Sequence, residues 1–170
     1  GMLIEGVHFS LKDAKPFEIG WKALACSVSD IAAMGGEPRY CLVSLGLPPD
    51  LDSKFVESIY KGIKKLAGIF KINVVGGDTN TSDKIIIDVF LAGYAQRQSI
   101  IYRSNARSGD VVAVTGRLGN SYLSKKHLKF MPRLTEAQFL TRNFRINSMI
   151  DISDGLSSDL NHILEKSRKG

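Results

Sequence analysis

Two stretches with apolar residues at helical spacing, separated by runs of strand formers, constrain this chain more than any other feature of its sequence. In one, Phe55, Ile59, Ile63, Leu66 and Phe70 recur at three- and four-residue steps, which place them on a single helix face. In the other, Glu18 to Met34, the residues Ile19, Leu24, Val28 and Ile31 share one face. Ala23, Cys26, Ser27, Asp30 and Ala33 share a second, small enough for close approach. Gly35, Gly36 and Pro38 stop that helix, and Asp52 or Ser53 caps the next. Tyr40 to Leu47, Ile72 to Val75 and Ile85 to Ala95 read as strands, the last the longest, with Ile100 to Arg103 placed to pair with it in a hairpin. The pattern predicts an α+β fold. Residues 1–105 form an N-terminal mixed α/β domain, and 106–170 an incomplete C-terminal α/β domain, divided at the polar, Gly-containing Asn105 to Gly109.

The second part is more thinly specified. Asp110 to Thr115 and Ser148 to Ile152 read as strands, and Leu156 to Lys166 as a helix with Leu156, Leu160, Ile163 and Leu164 inward. Gly116 to Asn147 is weakly periodic and loop-like. A hydrophobic content of 44% supports one real core. No apolar run approaches the roughly 18 residues of a membrane span, so no membrane partner is expected. Gly1 ahead of Met2 reads as a residue left by tag removal, and no signal peptide is recognised. Cys26 and Cys41 have no CxxC partner or nearby His and read as buried free thiols, which fits a reducing cytoplasm. The net charge is +6, and residues 111–170 hold most of it. No nucleic-acid-binding motif accompanies that basic stretch, so a solvated surface is the expectation.

Chemistry concentrates in two segments. Val74-Val75-Gly76-Gly77-Asp78-Thr79 and Asp151-Ile152-Ser153-Asp154-Gly155 each place carboxylates where an apolar strand is expected to give way to a turn. Gly76 and Gly77 let backbone approach a phosphate, and Asp78 can hold a cation, although Gly-Gly-Asp also serves plain turns. Asp154 is placed either as a helix-capping acid or as a metal ligand, and capping does not account for Asp151. Asp30, on an Ala-rich helix face, is either exposed, ion-paired or a further ligand. His8 is a satisfied core or surface residue or a ligand. Arg103 pairs with phosphate or with a surface acid, and Tyr60 stacks on a base or covers the core. Four acids of this kind suit Mg²⁺ bridging to nucleotide phosphates. P-loop, protein-kinase and nucleophile-elbow motifs are all missing, so phosphoryl transfer would rest on metal clusters.

In order along the chain, Leu-Ile-Glu-Gly-Val-His-Phe (3–9), Gly-Trp-Lys-Ala-Leu-Ala (20–25), Ser-Asp-Ile-Ala-Ala-Met-Gly (29–35), Val-Gly-Gly-Asp-Thr (75–79), Arg-Ser-Asn-Ala-Arg-Ser-Gly-Asp (103–110) and Ile-Asp-Ile-Ser-Asp-Gly-Leu (150–156) closely resemble the thiamine-monophosphate kinase family. That family is grouped with aminoimidazole ribonucleotide synthetase, selenophosphate synthetase and HypE. The resemblance implies ATP-dependent phosphorylation of thiamine phosphate to thiamine diphosphate. It implies Mg²⁺ held by Asp30, Asp78, Asp151 and Asp154, and ATP contacted by Tyr60, the Gly76-Gly77 backbone, Arg103 and Ser153. It also implies that His8 approaches thiamine phosphate, and that the N-terminal domain binds nucleotide and pairs its sheet in a homodimer. Resembling enzymes carry further acids upstream of Met2, are longer between Gly119 and Ser148, and continue past Gly170. The chain therefore resembles a kinase lacking both ends. The alternative is a truncated, non-catalytic homologue that acts as a nucleotide-binding or dimerisation module.

Overall fold

In the computed structural model, which describes residues 1–169, the two helical stretches form α1 (Pro16–Ala33) and α2 (Ser53–Phe70). Asp52 caps α2 by accepting a hydrogen bond from Lys54 N–H at 2.9 Å. At the other end Lys71 takes a left-handed conformation and its N–H returns to Ala67 O. Where α1 crosses α2, the contact is backbone on backbone. A β-carbon on Gly20 would run into Ile59 O, and one on Gly62 would run into Phe17 O.

Four strands make one mixed sheet: β1 (Met2–Ile4), β2 (Glu37–Leu47), β3 (Asn73–Thr81) and β4 (Ile86–Tyr94), in the spatial order β1-β4-β2-β3. β1 runs antiparallel to β4, with Met2 opposite Asp88. β2 and β3 run parallel, joined by α2 as a βαβ unit. Leu3, Cys41, Val43, Leu45, Ile87 and Val89 point to the buried side of the sheet and, with Ile19, Leu24, Val28, Ile59, Ile63 and Leu66, form the core. The alternate positions Met2, Tyr40, Leu42 and Phe90 stay exposed.

The chain forms two compact units. One contains Gly1–Val28, Pro38–Ala92 and Gly119–Met131; the other contains Ser29–Glu37, Gly93–Leu118 and Pro132 onward. In the first, Trp21 Nε1–H donates to Phe130 O at 2.8 Å, tying α1 to the 119–131 segment. That segment carries α3 (Lys126–Lys129) with Leu128 buried. The second unit carries α4 (Leu134–Asn143) and α5 (Leu156–Ser167). Among the described residues no helix is long and apolar enough to cross a membrane.

Several expected elements take another form. β3 does not end at Val75: it continues as a mostly exposed strand through Gly76-Gly77-Asp78 to Thr81, and β2, not β4, is the longest strand. The added length follows from parallel pairing, because β2 supplies ladder partners as far as Leu47 opposite Thr81. Ile100 to Arg103 makes no hairpin with β4, since β1 and β2 already flank that strand. Ile101 N–H instead donates to Met34 O at 3.2 Å. Asp110 to Thr115 and Ser148 to Ile152 are not strands. Val111 is 91% exposed, and among the described residues no neighbouring strand supplies it with a ladder. Gly116 to Asn147 is not a plain loop but includes α3 and α4, whose apolar positions are too few to show a clear period.

Candidate functional site

The first unit holds His8, Tyr60, Gly76, Gly77 and Asp78. His8 lies in a tight turn after β1, where Val7 and His8 N–H both donate to Ile4 O, at 3.1 and 2.9 Å. Ile4 N–H donates to His8 Nδ1 at 3.0 Å, which places the ring proton on Nε2. Lys22 Nζ donates to His8 O at 2.6 Å, so α1 anchors the turn, and burial lowers the Lys22 pKa. Tyr60 is half-buried on α2, and its hydroxyl pKa is raised by burial first and by neighbouring Cys41 second.

Gly76, Gly77 and Asp78 lie within β3, not in a turn at its end. Opposite Cys41 and Leu42 the register slips, so that Val74 pairs with Cys41 and Gly76 with Leu42. A β-carbon at Gly77 would meet Val43 O, so close backbone approach explains this glycine. The Asp78 carboxylate is exposed. It accepts from Thr79 N–H at 2.8 Å and Asn80 Nδ2 at 2.7 Å, which orients it on the strand.

The second unit holds Asp30, Arg103, Asp151, Ser153 and Asp154. Asp30 sits in the last turn of α1, and its residue surface remains open to solvent. Enough protein nevertheless crowds its carboxyl that desolvation raises its pKa. The negative charge of Asp151 raises it further, and Arg103 acts in the opposite direction. Within this unit Asp30 therefore feels the charges of both Asp151 and Arg103. Like charge and all-oxygen donors fit a hard divalent cation such as Mg²⁺. Ser153 Oγ donates to Asp151 Oδ2 at 3.3 Å, linking two more of the candidates. Among the described residues, no three His, Cys, Asp or Glu side chains gather into a metal-binding group.

Three contributors were not singled out from sequence. Asp159, 3% exposed, accepts from the backbone N–H groups of Ser153, Asp154 and Gly155 at 2.9, 3.1 and 3.2 Å. The N-cap of α5 is Gly155 with no side-chain bond, so Asp154 does not cap that helix. An acid in the first helical turn was the available signal for Asp159. Ser148 and Ser167 hold the 3-10 turn at Arg103–Asn105: both hydroxyls donate to Arg103 O, at 3.2 and 2.9 Å. Their oxygens accept Asn105 and Ala106 N–H in return. No local sequence pattern marks such long-range partners. Two shallow clefts in this unit, of about 510 and 550 Å³, include none of the candidate residues.

Residues 1–95 match the family described as AIR synthase related protein, N-terminal domain. The chain belongs to the AIR synthase related family. Within it, the chain is 39% identical to a thiamine-monophosphate kinase of Buchnera aphidicola subsp. Schizaphis graminum, covering 99% of this chain and 57% of that protein. The crystal structure of thiamine monophosphate kinase from Aquifex aeolicus superposes with a TM-score of 0.90 at 38% identity, covering 98% of this chain and 62% of that one. A further structure, AaThiL complexed with AMPPCP and TMP, gives a TM-score of 0.85 at 35% identity, covering 99% of this chain and 59% of that one. This member of the family therefore spans somewhat over half the length of the kinases it resembles, and shares their mixed helix-and-strand fold over that span.

Proposed function

We propose that this chain takes part in ATP-dependent phosphorylation of thiamine phosphate to thiamine diphosphate, in the cytoplasm and as a homodimer. The observation that carries the reading is the Asp151-Ser153-Asp154 turn, where Ser153 Oγ donates to Asp151 Oδ2 at 3.3 Å, together with Asp30, whose pKa is raised by desolvation and then by the like charge of Asp151. Such a pair is favourable only when a cation or a proton relieves it. The likeness to thiamine-monophosphate kinases, one of them solved with AMPPCP and TMP, supplies the substrate class. We assign Asp30, Asp78, Asp151 and Asp154 to Mg²⁺, and Tyr60, Gly76, Gly77, Arg103 and Ser153 to ATP. His8 is assigned to the phosphate of thiamine phosphate, toward which its Nε2–H would donate. In this reading residues 1–105 form the nucleotide-binding and dimerising domain and 106–170 belong to a second domain.

Bound Mg²⁺ would supply charge neutralisation between a phosphate donor and an acceptor that is itself a phosphate. The residues bind and orient. Arg103 can take a phosphate in its planar fork, and Ser153 can donate its hydroxyl. The acceptor oxygen is already anionic, so no general base is required, and alignment of the two substrates is the main demand. The homodimer draws support from the exposed sheet face, where Met2, Tyr40, Leu42 and Phe90 present apolar area to solvent.

The test is calorimetric titration with ATP, with and without Mg²⁺. Mg²⁺-dependent binding that Asp78→Asn reduces by at least about tenfold is the expected result. Unchanged affinity in that variant would remove the site assignment. A second reading, a nucleotide-binding and dimerising module without turnover, is favoured by the Asp110 to Thr115 segment, which forms no strand and leaves Val111 and Val112 exposed. Product formation from thiamine phosphate decides between them.

A further inference from the structure

Asp159 carries no ligand assignment, yet it organises the backbone of the Asp151–Gly155 turn. Its Oδ2 receives three consecutive backbone N–H groups, those of Ser153, Asp154 and Gly155, within 3.2 Å. Three converging N–H groups at the start of a helix ordinarily form an anion-binding nest. Here the nest is filled from within by a carboxylate that is almost fully buried. Gly155, the N-cap, has no side chain with which to do this, and its φ of 113° is a left-handed backbone conformation that favours glycine. With the backbone donors occupied, the groups of the turn left to face a ligand are side chains. Ser153 and Asp154 are exposed, and Asp151 is half-buried.

We propose that Asp159 is a positioning residue: by clamping the 153–155 backbone it fixes the turn from which Asp151, Ser153 and Asp154 present their oxygens to a metal–nucleotide. This rests on the function proposed above. It also leaves the Ser153 contact to the exposed hydroxyl, which can exchange its long 3.3 Å bond to Asp151 for a ligand, whereas Ser153 N–H is held by buried Asp159.

The test compares Asp159→Ala and Asp159→Asn in the whole chain, reading amide proton resonances and hydrogen exchange at 153–155 together with Mg·ATP affinity. Asp159→Ala is expected to release the three amides and weaken Mg·ATP binding by about tenfold or more, the loss typical of hydrogen bonds to a charged group. Asp159→Asn keeps one acceptor oxygen in place. It should retain much of the amide protection and hold affinity within about threefold of the parent. Affinities that follow the melting temperatures of the variants and not the 153–155 protection would reduce Asp159 to a structural role and overturn the proposal. So would released amides with unchanged affinity. If Asp159→Ala does not fold, Asp159→Asn alone decides the clamp: its 153–155 resonances must shift upfield, and resonances that stay put overturn it. A parent chain that binds no Mg·ATP refutes the proposed function and the ligand-facing half of the inference, while the amide resonances still decide the clamp.

Discussion

Glu18 joins two separate stretches of the first unit through one carboxylate. Its Oε2 accepts Lys15 N–H at 2.9 Å and its Oε1 lies 2.7 Å from Lys129 Nζ. Burial alone would raise its pKa. The hydrogen bonds from Lys129 and the Lys15 backbone, with the charges of both lysines, outweigh that and hold it below the ordinary glutamate value. A carboxyl with a lowered folded-state pKa stabilises the fold above its unfolded pKa, and that contribution disappears as pH falls through the folded value. Glu18→Gln should therefore cost about 1–2 kcal/mol in urea denaturation at pH 7 and progressively less as the pH falls below the ordinary glutamate value. A loss that does not change with pH would show that shape and not charge is responsible. Sequence alone makes carboxylates such as Asp30, Asp78 and Asp151 visible as chemistry-bearing residues. It does not reveal Glu18 or Asp159 in the same way, because their partners are a distant lysine and backbone N–H groups that only folding brings near.

At the scale of elements, α1 and α2 were legible because their apolar spacing is long and regular, and Asp52 announced the start of α2. The Gly-Gly-Asp segment read as a turn because glycines punctuate loops. Its role in β3 depends on the neighbouring β2 ladder, which no local window contains. Asp110 to Thr115 shows the converse: strand-forming residues without an adjacent ladder remain unpaired. The glycines of the helix crossing give a sharp test. Gly62→Ala should destabilise the chain by about 1–3 kcal/mol, since its new methyl meets the Phe17 carbonyl across the crossing. Gly68→Ala, on the same helix but with nothing within 4 Å of the new atom, should stabilise it by about 0.5–1 kcal/mol. Thermal melts of the two variants moving in the same direction would refute the close crossing.

For the molecule as a whole, the outward sheet face is the surface on which the proposed homodimer rests. Met2, Tyr40, Leu42 and Phe90 are apolar or aromatic and exposed, with Phe90 at 60%. Phe90→Asp is expected to shift the proposed homodimer to monomer in sedimentation velocity while leaving the far-ultraviolet circular dichroism unchanged. A variant that sediments like the parent would place any dimer contact elsewhere. The mixed α+β class and the family likeness could both be read from sequence, because each rests on contiguous motifs. The interleaving of residues 119–131 with the N-terminal stretches could not, because it depends on a few distant contacts. One of these is the bond from the indole of Trp21 to Phe130 O. Trp21 is the sole tryptophan of the chain. The protein thus carries its own optical reporter: a red shift and loss of anisotropy in its intrinsic emission would announce detachment of the 119–131 segment before the core itself gave way.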